Sequence, residues 1–133
     1  MAELYSQKIM DHYHWPQNKT RLKKASLTFV GANHLCGDNL RIQLRLNTQG
    51  VVTAVGWQGQ GCAISQAATS IFSELIKGKK ISAVKRMPAK NLIRQLKINL
   101  SPTRLKCALL PLYTIQQIDL DNELTDTKLG IKN

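Results

Sequence analysis

Three cysteines and one aspartate are the residues in this chain whose types and spacing could do chemistry. Cys36 and Asp38 form a C-x-D pair, Cys62 opens a helix-like segment, and Cys107 follows 45 residues after Cys62. Thiolates are good ligands for zinc and iron, and three thiolates with one carboxylate oxygen complete a tetrahedron. The set predicts a metal or iron–sulfur site in which the carboxylate holds its cargo less firmly than a fourth thiolate would.

The alternative for each cysteine is a plain buried side chain, which is the commoner role for a single free cysteine. Cys36 and Cys62 each stand beside a glycine in a bend, where packing gains little. The helix start favours a thiolate at Cys62, and the neighbours Arg104 and Lys106 predict the same for Cys107. Taken together, the three cysteines are better interpreted as ligands.

Length, composition and cysteine count limit the classes of protein to which this chain could belong. A chain of 133 residues with 43% hydrophobic content predicts a single domain, 1–133, ending in a frayed tail from about residue 120 to 133. There is no apolar run long enough to span a bilayer, so no membrane association is expected. An odd number of cysteines and no signal-like N-terminus predict a cytoplasmic protein.

The net charge of +11 is concentrated in one half of the chain. No acidic residue lies between Glu74 and Asp119, whereas ten basic residues do. Such a surface attracts an acidic protein, a nucleic acid or an anionic membrane. Because aromatic residues make up only 5% of the chain, binding to nucleic acid is not expected.

The elements that must position the cysteines follow from hydrophobic periodicity. Alternation with period two predicts three strands, and the short Asn47–Gly50 turn makes the last two antiparallel. From Ile64 to Lys77 the period changes to 3.6 and predicts a helix with one polar face. Gly59 and Gly61 are expected to end the third strand. The predicted strands are 26–32, 40–46 and 51–57.

Further helices are predicted on both sides of this region. Glu3–Tyr13 is a short candidate, and its His12 is expected at the surface. A helical segment over 81–96 should be split by Pro88, since proline cannot continue a helix. The dipeptide Ser101–Pro102 is a typical start for the last helix, which carries Cys107.

These motifs resemble a known family. The segments Cys36-Gly37-Asp38, Gly61-Cys62-Ala63-Ile64-Ser65 and Arg104-Leu105-Lys106-Cys107 are similar to the signatures of the U-type iron–sulfur cluster assembly scaffolds, which comprise IscU, SufU and the N-terminal domain of NifU. The opening segment, from Leu4-Tyr5 to Pro16-Gln17-Asn18, is also similar. The resemblance extends from about Leu4 to Gln117.

The resemblance implies a fold and a function. The fold is α+β, SufE/NifU-like, with a three-stranded antiparallel sheet and helices packed on one side. The function is that of a scaffold, more than that of an enzyme: it accepts sulfur from a cysteine desulfurase, binds iron or a labile [2Fe–2S] cluster, and passes the cluster to apo-proteins or a carrier. By position, Cys36, Asp38, Cys62 and Cys107 correspond to the ligands, and Cys107 is the expected sulfur acceptor, with Cys36 as the alternative.

Two sequence markers distinguish the IscU branch of the family from the SufU branch, and in this chain they indicate different branches. Lys106 stands where the IscU branch has a histidine, as in SufU, whereas the short interval between Cys62 and Cys107 is typical of IscU. The first alternative is therefore a zinc-bound, SufU-like sulfur-transfer protein, with Zn²⁺ in the isolated protein. A second alternative, a structural zinc domain that binds nucleic acid through the basic half, lacks the paired C-x-x-C spacings of such sites.

Overall fold

Three antiparallel strands and five helices make up the fold in the computed structural model, which describes residues 6–34 and 36–118. The strands lie in the order β1-β2-β3, so sequence neighbours pair throughout the sheet. This is the predicted α+β class. The predicted tail, from about residue 120 to 133, and the first residues of the predicted N-terminal helix lie outside the described residues. The elements are α1 Gln7–His14, β1 Leu27–Asn33, β2 Asp38–Leu46, β3 Val52–Gln60, α2 Ala63–Ile76, α3 Ile81–Lys85, α4 Ala89–Leu96 and α5 Pro102–Gln116.

The core lies between one face of the sheet and the helices α2 and α5. Alternate residues of β2, Leu40, Ile42 and Leu44, point into it and are almost fully buried, together with Trp57 of β3. Burial of this apolar face against two helices supplies the main favourable free energy of folding. The starts of α2 and α5 and the β1–β2 turn hold the three cysteines.

The third strand departs from regular alternation at one point and from its predicted end at another. A bulge pairs Arg45 with Ala54 but Leu46 with Val52, so Thr53 is the extra residue and is exposed. An extra residue reverses the alternation, which is why Val52 rather than Thr53 is buried with the core. The prediction that Gly59 ends the strand is wrong. Gly59 continues the strand and pairs with Leu40. Only glycine fits at this position, because a Cβ would lie 2.3 Å from the Asn39 carbonyl oxygen.

Helix α2 is confirmed, and its predicted polar face is largely buried, so the helix is covered on almost all sides. Its hydroxyl groups bond to the N-terminal segment: Ser70 Oγ lies 2.6 Å from His12 Nδ1 and accepts the Gln17 N–H at 2.7 Å. His12 is therefore half-buried rather than a free surface residue. A sequence period shows which residues are polar, but not which segment of chain will cover them.

The remaining helices follow the prediction. Pro88 separates α3 from α4 and stands at the N-cap of α4, and Ser101 caps α5, accepting the Arg104 N–H. Pro111 lies inside α5 without ending it. Within the described residues, no helix is both long enough and apolar enough to cross a membrane.

Candidate metal centre

The turn between β1 and β2 places the C-x-D pair. The Cys36 N–H donates to the Asn33 carbonyl at 3.2 Å, and Gly37 takes a left-handed backbone conformation with φ +71°. Glycine adopts that conformation without steric cost, so the chain can reverse within the turn and enter β2 at Asp38. The Asp38 side chain is consequently turned inward and is only 2% exposed.

The start of α2 meets this turn directly. Cys62 is the N-cap residue of α2, and its sulfur accepts the Ser65 N–H at 3.4 Å. The Cys62 backbone N–H donates to Asp38 Oδ1 at 2.9 Å. Gly61 allows the approach, because a Cβ there would lie 2.2 Å from the same oxygen. The helix start thus holds the carboxylate through its backbone and presents a thiol beside it.

Cys107 comes from the second turn of α5 and completes the group. Its sulfur lies 3.2 Å from Cys36 Sγ, within hydrogen-bond distance, and the residue is 2% exposed. One ligand atom each of Cys36, Asp38 and Cys107 lies within 4.8 Å of the other two. Two sulfurs on one tetrahedral zinc would stand about 3.8 Å apart, given bonds near ~2.3 Å. The donor set therefore suits a single thiophilic ion, provided that the Cys36 and Cys107 sulfurs, 3.2 Å apart here, move slightly apart to admit it.

Cys62 is adjacent to this group but is not part of it. Its sulfur accepts the Ser65 N–H as the cap of α2, and within the described residues it is not among the ligand atoms that lie within 4.8 Å of one another. A metal-bound sulfur can keep an N–H···S hydrogen bond, so the cap does not exclude Cys62 as a ligand beside Cys36, Asp38 and Cys107. The structure therefore brings three of the four expected ligands together and places the fourth at their edge.

The pKa values of Cys62 and Cys107 are shifted in opposite directions. A hydrogen bond from Cys107, followed by the Ser65 N–H, lowers the pKa of Cys62 to about 6 even though burial opposes this. The same hydrogen bond, burial and the bond to Cys36 raise the pKa of Cys107. Cys62 is thus the thiolate and Cys107 the proton donor. This corrects the expectation that Arg104 and Lys106 would favour a Cys107 thiolate: the groups that shift its pKa are the cysteines and Asp38 across the site.

One site residue was missed by the sequence reasoning. Asn33, the last residue of β1, is 1% exposed, and its Nδ2 donates to Asp38 Oδ2 at 3.4 Å and to Cys107 Sγ at 3.7 Å. The register of the β1–β2 hairpin is what identifies this residue, because Asn33 pairs with Asp38 across the two strands. The sequence boundary predicted for β1, at Ala32, stopped one residue short of it.

The comparisons with known proteins identify the family. The family model described as the NifU-like N-terminal domain matches residues 4–119. The chain belongs to this family.

Individual members of the NifU-like family give more detail. The "Iron-sulfur cluster assembly scaffold protein IscU" of Buchnera aphidicola subsp. Schizaphis graminum is 31% identical over 110 residues, which cover 80% of this chain and 84% of that protein. The "Zinc-dependent sulfurtransferase SufU" of Bacillus subtilis is 40% identical over 78 residues, covering 59% of this chain and 52% of that protein. Both branches suggested by the sequence therefore occur among the relatives.

Solved structures show the same fold. A crystal structure described as a putative iron–sulfur cluster assembly scaffold protein for the SUF system, from Fervidobacterium islandicum AW-1, superposes with a TM-score of 0.74 at 29% identity. That superposition covers 87% of this chain and 96% of the other. The N-terminal NifU-like protein of Brucella abortus superposes with a TM-score of 0.67 at 18% identity, covering 84% of this chain and 89% of that chain, and shows the fold alone.

A second feature lies on the basic half. A groove of about 540 Å³ runs between the end of α2 and the helices α3 and α4. Three of its lining residues, Lys79, Arg86 and Arg94, are basic and exposed, and its lining includes no acidic residue among the described part of the chain. We call this feature the basic groove and define it by these three residues. Apolar lining from Leu75 and Met87 gives it a mixed character suited to a protein partner.

Proposed function

We propose that this protein is a scaffold for iron–sulfur cluster assembly, which receives sulfur from a cysteine desulfurase and hands a labile [2Fe–2S] cluster to apo-proteins or a carrier. The observation that carries the proposal is the group of Cys36, Asp38 and Cys107, whose ligand atoms lie within 4.8 Å of one another in a member of the NifU-like family. Cys62 is the proposed fourth ligand, by rotation of its side chain towards the other three.

Cys36 is half-exposed and stands in the turn, so the ligand group has an open side at this thiol. Iron and the cluster are cargo in this proposal, and the donor set suits a temporary stay. Thiolates bind iron strongly, whereas the single carboxylate oxygen is a harder and more weakly matched donor. Asp38 is therefore the proposed ligand at which the cargo is released.

Sulfur transfer needs a thiolate that can reach the desulfurase persulfide. The thiolate attacks the terminal sulfur, a new S–S bond forms, the old one breaks, and the desulfurase cysteine leaves as a thiolate, so no oxidant or reductant is required. We propose Cys107 as the acceptor. This requires the first turns of α5 to move, because the thiol is buried and must leave Cys62 and Cys36, whose contacts raise its pKa, before it can act as a thiolate. Cys36 is the alternative, and its greater exposure favours it.

The second candidate is zinc-dependent sulfur transfer. It is favoured by Lys106 beside Cys107 and by the 40% identity to the SufU of Bacillus subtilis over 78 residues. In that case Zn²⁺ occupies the same donor set, and the persulfide, not a cluster, is passed on. The same four residues serve both candidates, so the cargo must be measured.

The deciding experiment is anaerobic incubation of the protein with iron, cysteine and a cysteine desulfurase. The scaffold proposal expects visible absorption typical of a [2Fe–2S] cluster, which moves to an apo-ferredoxin when that protein is added. Retained zinc, a persulfide detected by mass and no visible chromophore would assign zinc-dependent transfer instead. Cys36→Ser, Cys62→Ser and Cys107→Ser identify the acceptor: loss of persulfide labelling in Cys107→Ser supports Cys107, and loss only in Cys36→Ser assigns the role to Cys36.

For the partner, we propose that the basic groove docks an acidic surface of the desulfurase. Opposite charges arranged across an interface accelerate association, and the effect weakens as salt screens it.

A further inference from the structure

Asn33 is the one buried polar side chain at the metal centre, within the described residues, that forms hydrogen bonds to two expected ligands without being one itself. It ends β1 opposite Asp38 in the sheet register and is 1% exposed. A side chain in that position either completes the packing of the hairpin or acts on the neighbouring carboxylate and thiol. The hydrogen bonds of the Asn33 side chain show which of these two roles applies.

The orientation of the Asn33 amide is set by its neighbours. Its Nδ2 faces Asp38 Oδ2 at 3.4 Å and Cys107 Sγ at 3.7 Å. An ionised carboxylate can only accept hydrogen bonds, so the amide must turn its NH₂ group, not its oxygen, towards Asp38. As a result, Asn33 Oδ1 is buried with no hydrogen-bond partner among the described residues.

An unpartnered buried oxygen is unfavourable, and native proteins satisfy nearly all such atoms. Packing alone does not account for it, since an apolar side chain of similar size would fill the same space without that penalty. The orientation is therefore explained by what the NH₂ group does at the site.

Both oxygens of Asp38 are consequently held. Oδ1 accepts the Cys62 N–H at 2.9 Å, and Oδ2 accepts from Asn33. With donors on both sides, the carboxylate is restrained from rotating about its bond to the β carbon. Each oxygen keeps a second lone pair for an ion. Hydrogen bonds of this kind, made to ligands from outside the ligand set, fix ligand orientation.

We propose that Asn33 is a positioning residue of the metal centre: its Nδ2 fixes the Asp38 carboxylate in the orientation that binds the cargo and supports the Cys107 sulfur with an N–H···S bond. This inference rests on the proposed function, because it assigns Asn33 a role towards those ligands.

The test uses Co²⁺ as the probe, since its visible spectrum reports the number and geometry of thiolate ligands. Full-length Asn33→Leu keeps the branched shape and the number of heavy atoms but removes the donor, and Asn33→Ala serves if the bulkier leucine variant does not fold. Asn39→Leu, an exposed asparagine six residues further along the hairpin, is the matched control. We expect Co²⁺ affinity to fall about 10- to 100-fold in the Asn33 variant and to stay unchanged in the control.

A double-mutant cycle separates positioning from general structure. If Asn33 acts mainly through Asp38, Asn33→Leu in an Asp38→Ala background should lose most of its effect on Co²⁺ affinity. A purely structural defect would persist in that background, and that result would overturn the inference.

Two outcomes distinguish this inference from the proposed function. If the wild type binds Co²⁺ and Asp38→Ala weakens binding, but the Asn33 variant matches the wild type, only the role of Asn33 is wrong. If the wild type does not bind Co²⁺ through its thiolates, the proposed function fails and the inference fails with it.

Discussion

Gly61→Ala is the sharpest perturbation that the structure offers for the candidate metal centre. A Cβ at this position would lie 2.2 Å from Asp38 Oδ1 and 2.5 Å from Ser65 Oγ, whereas ordinary contact begins at 3.4 Å. The carboxylate must therefore move by about 1 Å, which is several times the ~0.2 Å tolerance of a metal–ligand bond. The same movement breaks the hydrogen bond from the Cys62 N–H to Asp38.

Two different effects should result from this displacement. Overpacking a close contact costs about 1–3 kcal/mol of the free energy of unfolding, which a domain of this size can tolerate. Metal affinity should fall further, by more than ~10-fold, because displacing a ligand disturbs the site more than losing one outer hydrogen bond. We expect a folded protein that no longer holds Co²⁺ or Zn²⁺ with its normal affinity.

The assay combines urea unfolding with Co²⁺ titration, and Gly78→Ala is the matched control. Gly78 has a left-handed backbone with φ +85°, a Cβ added there would meet nothing within 4 Å, and the residue follows the far end of α2. The control should lose about 1–2 kcal/mol through backbone strain alone and keep full affinity for Co²⁺. Wild-type affinity in folded Gly61→Ala would refute the argument that close contact at Gly61 fixes the carboxylate.

Three other measurements test the thiols, the carboxylate and the basic groove. In the metal-free protein, the rate of Cys62 alkylation by iodoacetamide should rise with pH through a midpoint near 6 and level off above it, because the pKa of Cys62 is lowered to about 6. Cys107, whose pKa is raised, should stay unreactive in that range. A Cys62 midpoint near that of a free thiol would contradict the hydrogen bond from Cys107 to Cys62. Asp38→Ala should leave the three thiolates and slow transfer of a preloaded cluster to an apo-acceptor, so faster transfer than in the wild type would exclude Asp38 as the exit ligand. Reversal of all three residues of the basic groove to glutamate should weaken desulfurase binding at low salt and leave metal content unchanged, whereas an equal reversal of the exposed Arg21, Lys23 and Arg41 should weaken it much less.

The elements with strong local signals were predictable from the sequence. The alternation from Leu40 to Leu46, the capping pair Ser101–Pro102 and the break at Pro88 all appear in the structure. Each depends on residues only a few positions apart, so local stereochemistry determines it. The bulge at Thr53 and the continuation of β3 through Gly59 depend on the partner strand, and no period in a single strand contains that information.

The site divides in the same way. Residue type identified the three cysteines and Asp38, and the family resemblance placed them together. Their individual states come from contacts between elements. Arg104 and Lys106 are neighbours of Cys107 in sequence, yet the raised pKa of Cys107 comes from Cys62, from burial, and from Cys36 and Asp38 across the site. Asn33 was missed for the same reason: only the β1–β2 register shows that it faces Asp38.

The double role of Cys62 connects the structure of the site with the turnover of its cargo. As the N-cap of α2, its sulfur accepts the Ser65 N–H, and losing a cap of this kind costs about 1 kcal/mol. That is small beside the free energy of a metal–thiolate bond, so in the proposed function a bound ion turns Cys62 towards the other three ligands even where this weakens the cap. When the ion leaves, the free helix end offers the thiolate an immediate partner. Under the proposed function, three residues that already lie together and a fourth at the helix cap would make a site that loads tightly without holding its cargo permanently.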